Sequence, residues 1–277
     1  MTDARPALRG ACDCHMHLYD ERWPLAPTAT FKPPNAPVAA YRQVQRALGL
    51  ERVVLVQPTG YGLDNRGMLD ALPAFGDSAR AIVVVPPEVS DAELERLHAL
   101  GVRGVRYMMI PGAGGVLGWD SIERMAARIA PLGWNINLQL DGRELPGRRA
   151  LIDGLPGKVV IDHTGKFLVP VGVDDPAFEA LLGLLDRPER WVKLSAPYET
   201  SRVGPPFYDD VAVLARALLD AHPDRCLWAS NWPHPNRAPA PTDADILALR
   251  EAWLPDAGLL ERVMVANPAA LYGFPGR

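Results

Sequence analysis

The sequence predicts an α/β fold, a single (β/α)8 or TIM barrel, and three observations lead to this prediction. Eight short apolar segments alternate with segments of helical length, and strict alternation is typical of a closed parallel barrel. The 277 residues exceed the roughly 250 that such a barrel needs, so we expect one domain over residues 1–277, with a short N-terminal arm. Hydrophobic residues make up 48% of the chain, enough for a large core. An open doubly wound sheet is the alternative, but no glycine-rich phosphate turn follows an early strand.

The predicted elements follow one another in the order that a barrel requires. Arg52–Val56 is a nearly continuous apolar run, as expected of a strand that is covered on both faces. The other strands are predicted at 11–17, 80–85, 101–107, 134–140, 158–162, 191–195 and 225–229. Helices are predicted at 38–48, 65–75, 90–100, 120–130, 145–152, 176–185, 208–221, 243–253 and 259–265. The loop 196–206 is expected to cover the mouth of the barrel and to set specificity.

Composition excludes several classes of protein. A net charge of −4 does not favour binding to nucleic acid or to an anionic membrane, and no apolar run is long enough to span a bilayer. The three cysteines do not suggest a disulfide framework, so a reducing cytoplasm is expected. Regular strand alternation would turn Cys12 and Cys14 away from Asp13 and the neighbouring histidines, to pack as small hydrophobes. The sequence leaves the oligomeric state open and is compatible with a homo-oligomer.

Histidines collect at the ends of the predicted strands. His15 and His17 are separated by one residue, so both side chains point to the same side of a strand. His163 and His234 also follow strands, and the carboxyl ends of barrel strands share one mouth. The sequence therefore predicts an active site at this mouth.

Other polar residues occupy equivalent positions after the second and the fourth to seventh strands. Arginine and lysine suit substrate carboxylates, and amides and hydroxyls can orient a substrate. The residues predicted to bind substrate are Gln57, Thr59, Tyr61, Arg106, Tyr107, Gln139, Lys166, Lys193 and Tyr198.

Four segments together resemble the amidohydrolase superfamily. They are the His15-x-His17 strand and residues 162–166 (DHTGK), 228–235 (WASNWPHP) and 267–273 (NPAALYG). Within that superfamily the chain is most similar to the branch of 2-pyrone-4,6-dicarboxylate lactonase and its sugar-lactone relatives. The resemblance implies a hydrolase that opens a carboxylated lactone. Its implied catalytic residues are His15, His17, His163, Asn231 and His234.

The sequence departs from the metal-binding members that it resembles. Asn231 stands where the resemblance implies an aspartate, and Asn is a poor ligand for a divalent cation. No bridging lysine or glutamate ends the fourth strand. We therefore expect no metal cofactor; if a single divalent metal such as zinc were bound, His15, His17 and His163 would hold it.

The mechanism implied by the resemblance has one gap. Three histidines, His15, His17 and His163, could together stabilise the oxyanion that forms when a lactone carbonyl is attacked. Asn231 cannot accept a proton at neutral pH, so His234 is the nearest candidate base and Asp13 the second.

The missing base keeps other functions open. A substrate hydroxyl could attack instead of water, which would make the protein an isomerase that interconverts lactone ring forms of a sugar acid. Two further alternatives are a metal-dependent decarboxylase or hydratase of an aromatic acid, and a non-catalytic sugar-acid binder.

Overall fold

Eight parallel strands form one sheet in the computed structural model, in the order β1 to β8 along the chain. The predicted barrel is thereby confirmed. The structure describes residues 8–235 and 237–275, and the predicted N-terminal arm lies outside them. The strands are β1 (Cys12–Met16), β2 (Arg52–Val56), β3 (Ala79–Val83), β4 (Val102–Met108), β5 (Asn135–Gln139), β6 (Lys158–Ile161), β7 (Arg190–Leu194) and β8 (Cys226–Trp228).

Helices lie between the strands and after the last one. They are α1 (Val38–Leu48), α2 (Arg66–Ala71), α3 (Asp91–Ala99), α4 (Trp119–Ile129), α5 (Leu145–Gly154), α6 (Pro176–Leu185), α7 (Asp209–Ala221), α8 (Asp243–Trp253), α9 (Ala257–Glu261) and α10 (Asn267–Tyr272). No helix among the described residues is long and apolar enough to cross a membrane.

Two helical segments differ by more than two residues from their predicted bounds. α2 ends at Ala71 and a 3₁₀ turn follows over Leu72–Ala74, because Pro73 has no N–H to continue the α-helical ladder. The helix predicted at 259–265 is instead α9, a π-helix over Arg262–Ala266 and then α10. The pair Asn267-Pro268 is a typical turn signal, so the sequence did not predict that the chain continues as the helix α10.

Strand side chains alternate between two apolar layers. Val53 and Leu55 of β2 pack with the helices, whereas Val54 and Val56 belong to a second cluster with residues of β1, β3, β6, β7 and β8. These strands stand on opposite sides of the barrel, so the second cluster fills its interior. Leu271 and Tyr272 of α10 join that cluster and close the barrel at the end away from the predicted mouth.

Strand β1 contains a bulge that changes which side chains face inward. Asp13 pairs with Val53 and Met16 pairs with Leu55, so β1 has one residue more than β2 over this interval. Cys12 and Cys14 consequently lie in the interior cluster, beneath the histidines. The cysteines do face away from Asp13, as predicted, but they share the barrel interior with the histidines, which was not predicted. Their packing as buried hydrophobes is confirmed.

The same bulge sends Asp13 out of the barrel. Tyr41 of α1 donates to Asp13 Oδ2 over 2.9 Å, and Ser230 donates to both carboxylate oxygens. The backbone N–H of Asn231 donates to His15 O over 2.9 Å, so the segment after β8 is fastened to β1. These bonds close the seam between the first and last strands. Asp13 is held in this seam and does not line the cavity described below, so it is not the alternative base.

Candidate active site

A cavity of about 320 Å³ opens at the carboxyl ends of the strands. Eight of the predicted site residues line it: His17, Thr59, Arg106, Gln139, His163, Lys166, Tyr198 and Asn231. Tyr19, Phe31, Met108, Leu168, Glu199 and Arg237 also line it. The shared mouth predicted from the strand ends therefore exists as a mixed polar and apolar cavity.

Beneath the cavity lies a buried network that we call the cavity floor, formed by His15, Asn137, Asp162 and Lys193. The Lys193 Nζ atom lies 3.1 Å from Asp162 Oδ1 and 3.0 Å from His15 Nδ1, and it donates to Asn137 Oδ1. Asn137 Nδ2 donates to Asp162 Oδ2 over 2.7 Å. Three acceptor atoms thus surround the Lys193 nitrogen, which matches the three N–H groups of an ammonium.

The floor holds an internal ion pair. Burial alone would raise the pKa of Asp162, but Lys193 and His15 hold it well below its ordinary value. Burial lowers the pKa of Lys193, and Asp162 opposes that effect. Removing either charge would leave the other buried and uncompensated.

The positions of the histidine protons follow from their partners. His17 Nδ1 lies 2.7 Å from Val56 O, which can only accept, so this nitrogen carries a proton. Burial lowers the pKa of His17 well below its usual value, so its ring is neutral at pH 7 and Nε2 is an acceptor. His15 Nε2, 3.2 Å away, must donate to it, and His15 Nδ1 accepts from Lys193. Both ring nitrogens of His15 and of His17 are therefore occupied.

Of His15, His17 and His163, only His163 has a ring nitrogen that is free to bind a substrate. Its Nδ1 lies 2.8 Å from Ser195 Oγ, which leaves Nε2 available on the cavity side. Burial lowers the pKa of His163 well below its ordinary value, so the ring is neutral at pH 7. The three rings do pack together, since the His15 centroid lies 4.8 Å from those of both His17 and His163. Of the three, however, only His163 can form a hydrogen bond to a substrate through a free ring nitrogen.

Around the opening lie five polar residues that we call the cavity rim: Arg106, Lys166, Tyr198, Glu199 and Asn231. Lys166 forms an ion pair with Glu199, and Asn231 Nδ2 donates to Tyr198 Oη and to Glu199 Oε1 over 2.9 and 3.0 Å. The Oδ1 atom of Asn231 is buried without a hydrogen-bond partner.

Arg106 is a buried cation whose bonding is incomplete. It donates to Gln57 O over 2.8 Å and to Gln139 Oε1 over 2.7 Å, while its Nε is buried and lacks a hydrogen-bond partner. A buried N–H of a charged group without a partner is costly, so protein groups compensate the Arg106 cation only in part. Because Arg106 lines the cavity, its charge favours an anionic ligand there.

His234 lies behind the rim. Its Nδ1 is 2.9 Å from Tyr198 Oη, and burial lowers its pKa to about 4. Tyr198 Oη already accepts from Asn231 and therefore donates to His234. His234 does not line the cavity, which removes the main reason to regard it as the base.

The site residues after β6 and β8 have strained backbones. His163, Lys166, Asn231 and His234 have φ between 45° and 60°, the left-handed region that non-glycine residues seldom adopt. Such strain costs about 1–3 kcal/mol per residue and clusters at functional sites.

Four of the nine residues predicted to bind substrate lie outside the cavity wall. Tyr107 faces α4, where its Oη is 3.2 Å from Ser121 Oγ, because β4 turns Arg106 inward and its neighbour outward. Tyr61 hydrogen-bonds to the Asp20 backbone in a neighbouring recess. Neither tyrosine contacts the cavity, which corrects their prediction as substrate ligands.

The other two support their neighbours. The Gln57 side chain donates to Asp64 O, and the Gln57 carbonyl accepts a hydrogen bond from Arg106. Lys193 lies in the floor, has no exposed surface and does not line the cavity.

Prediction from the sequence also missed functional side chains. Asp162 directly follows a buried strand, a signal that could have identified it. Asn137 is a polar residue inside an apolar strand, which is a second available signal. Tyr19 lies in a loop, where hydrophobic periodicity gives no guidance. Glu199 belongs to the loop 196–206 that was predicted to cover the mouth, but its own role was not predicted.

One group of side chains could hold a metal ion, and Lys193 already contacts it. Among the described residues, His15, Asp162 and His163 offer ligand atoms within 4.8 Å of one another, rather than the predicted set of His15, His17 and His163. Lys193 already contacts two of them, and a second cation beside the ammonium would be repelled.

Comparisons with known proteins agree with the fold and with the family that the sequence resembles. The family model described as amidohydrolase matches residues 12–274. A 2-pyrone-4,6-dicarboxylate hydrolase of Comamonas testosteroni is 35% identical over 274 residues, covering 95% of this chain and 90% of that protein. A D-galactarolactone isomerase of Agrobacterium fabrum is 34% identical over 277 residues, covering 98% and 94%. An apo crystal structure of an Agrobacterium tumefaciens protein aligns with a TM-score of 0.90 and 33% identity, covering 98% and 99%.

Proposed function

This chain belongs to the amidohydrolase family, and from that premise we propose that it opens the ring of a carboxylated lactone by attack on the lactone carbonyl. One observation carries the proposal: two cations, Arg106 and Lys166, line the cavity together with His163, whose Nε2 is free. Burial and the nearby Arg106 lower the pKa of Lys166 to about 8, so it is mainly charged at pH 7. The Glu199 carboxylate favours its charged form further.

Each cation has a role that suits its surroundings. Arg106 has an unpaired buried Nε, and guanidinium groups bind carboxylates through paired N–H donors. It is therefore the proposed ligand for the substrate carboxylate. Lys166 and His163 are the proposed donors to the carbonyl oxygen, His163 through Nε2–H when the Ser195 hydroxyl donates to Nδ1.

Glu199 is the proposed proton acceptor, since it is the one carboxylate residue among those lining the cavity in the described part of the chain. A water oxygen bonds to the carbonyl carbon and gives a proton to Glu199. The bond between that carbon and the ring oxygen then breaks, and the ring oxygen takes a proton to yield a hydroxy acid. His15 and His17 position His163 in this scheme and do not touch the substrate.

A second candidate function is lactone isomerisation, which the Asn231 side chain favours. Asn231 cannot accept a proton, and a galactarolactone isomerase is among the relatives. If a substrate hydroxyl attacks the carbonyl, the product is a lactone of another ring size. Such a hydroxyl benefits from intramolecular proximity and needs less activation than water.

An isotope experiment separates the two reactions. Chelator-treated protein is incubated in H₂¹⁸O with carboxylated lactones, namely sugar-acid 1,4- and 1,5-lactones and 2-pyrone-4,6-dicarboxylate, and followed by ¹³C NMR. Hydrolysis places one ¹⁸O in the new carboxylate, whereas isomerisation forms a new lactone without ¹⁸O. Glu199→Gln should abolish turnover, and Glu189→Gln, an exposed residue before β7, should not. Unchanged lactones across the panel would refute both candidates.

A further inference from the structure

The Lys193 ammonium lies against two of the groups that could hold a metal ion in the cavity floor. It lies 3.0 Å from His15 Nδ1 and 3.1 Å from Asp162 Oδ1, two of the three groups whose ligand atoms converge there. Both lysine and ligands are fully buried. The ammonium therefore supplies one fixed positive charge to this ligand set.

The ammonium also decides which nitrogen of His15 carries a proton. Its N–H groups only donate, so the facing His15 Nδ1 must accept. The proton of the neutral ring then lies on Nε2, which points at His17 Nε2 across 3.2 Å. Tetrahedral zinc would hold two such nitrogens about 3.3 Å apart, so the spacing suits a metal while the proton prevents one.

Without the ammonium, His15 has another partner for Nδ1. Asp162 Oδ1 lies 3.4 Å from that nitrogen and could accept a proton from it. A carboxylate that accepts from the second nitrogen of a histidine is the usual support for a metal ligand. His17 already has such support, because its Nδ1 donates to Val56 O.

We propose that Lys193 is a built-in substitute for a metal cation, which fixes His15 as the Nε2–H tautomer and so prevents the His15/His17 pair from ligating a divalent metal. Lys193 is a positioning residue, since it acts on the cavity through His15 and His17.

Substitution of the lysine tests the proposal by a gain of binding. Lys193→Met removes the ammonium and keeps the apolar stem. We expect this variant to bind one Co²⁺ per chain, with visible ligand-field absorption, at least about tenfold more tightly than the wild type. Adding His15→Gln should abolish that binding. Lys158→Met is the matched control, because Lys158 also lies in a barrel strand but donates to Leu271 O at the opposite end.

A measurement on the wild type covers the case in which Lys193→Met does not fold. Long-range ¹H–¹⁵N correlation spectra report the tautomer of each histidine, with His15 assigned by its loss in His15→Gln. We expect Nε2–H for His15 and Nδ1–H for His17. An Nδ1–H signal for His15, stoichiometric Co²⁺ binding by the wild type, or a folded Lys193→Met that binds no Co²⁺ would overturn the proposal. None of these readouts depends on turnover, so the proposed lactone chemistry stands or falls separately.

Discussion

The cavity floor and the cavity rim are both buried and polar, but they differ in how their charges are compensated. In the floor, Lys193 and Asp162 form an ion pair and Asn137 bridges them. In the rim, Arg106 Nε and Asn231 Oδ1 are buried without hydrogen-bond partners. The charges of the floor are thus paired with each other, although Asp162 Oδ1 has an ion-pair contact with Lys193 and no directed hydrogen bond. The cations of the rim, Arg106 and Lys166, instead line the cavity. This contrast indicates that the floor provides fixed geometry and that the rim provides recognition.

The largest expected effect comes from breaking the floor. Asp162→Asn leaves the Lys193 ammonium buried without a counter-charge, which should lower the free energy of unfolding by about 3–5 kcal/mol. Urea denaturation at pH 7 measures this loss. Asp224→Asn, which breaks an exposed ion pair with Arg262, should cost at most about 1 kcal/mol. Equal losses in the two variants would contradict the view of the floor as a structural unit.

A substitution in the rim should affect activity rather than stability. Arg106→Met removes a buried cation that lacks full pairing, so we expect kcat/KM for a carboxylated lactone to fall by about 10²–10³-fold. The free energy of unfolding should stay the same or increase. Arg103→Met on the same strand is the control, because Arg103 donates to the His98 and Val102 carbonyls, away from the cavity. A large loss of stability in Arg106→Met would mean that Arg106, like the residues of the cavity floor, supports the structure rather than recognition.

The histidine behind the rim should make the protein sensitive to acid. Burial lowers the pKa of His234 to about 4 from an unfolded value of 6.5, so the unfolded chain binds more protons between these values. Stability should therefore fall as pH falls from 6.5 to 4, by on the order of 3 kcal/mol for this residue. Urea midpoints measured across this range should decline less steeply in His234→Gln.

The smallest effect concerns a rim hydroxyl that is already paired. Tyr198→Phe leaves His234 Nδ1 without a donor, while Asn231 Nδ2 keeps its bond to Glu199. We expect a loss of about 1 kcal/mol in the free energy of unfolding, since one buried acceptor becomes unsatisfied. Tyr208→Phe, on the ring packed edge-on against Tyr198, serves as the control. No change in Tyr198→Phe would mean that His234 finds another donor.

The fold was predictable because its signal is repeated eight times. Most strands contain a short apolar run, and errors of one or two residues at an end do not alter the alternation. The helices at Val38–Leu48, Pro176–Leu185 and Asp243–Trp253 have the predicted bounds.

The site was less predictable because it depends on the orientation of single residues. The bulge in β1 adds one residue between Asp13 and Met16, and hydrophobicity does not show it because all five strand residues are buried. Tyr107 was misplaced for a related reason, since a shift of one residue exchanges the two faces of a strand. The pairing of Lys193 with Asp162 requires the distance between two adjacent strands, which a linear sequence does not contain.

Because the three cysteines are buried, their reaction with a thiol reagent can report how the barrel unfolds. Cys12 and Cys14 lie inside the barrel on β1, and Cys226 lies on β8 in the layer beneath the helices, so they flank the seam that Ser230 and Asn231 close. None of the three has exposed surface, and a thiol reagent can reach them only when packing separates. If the helices separate from the barrel first, the reagent should label Cys226 first. If the seam between β1 and β8 separates first, Cys12 and Cys14 should be labelled at the same rate as Cys226. The order of labelling therefore records the route of unfolding in this chain without any engineered probe.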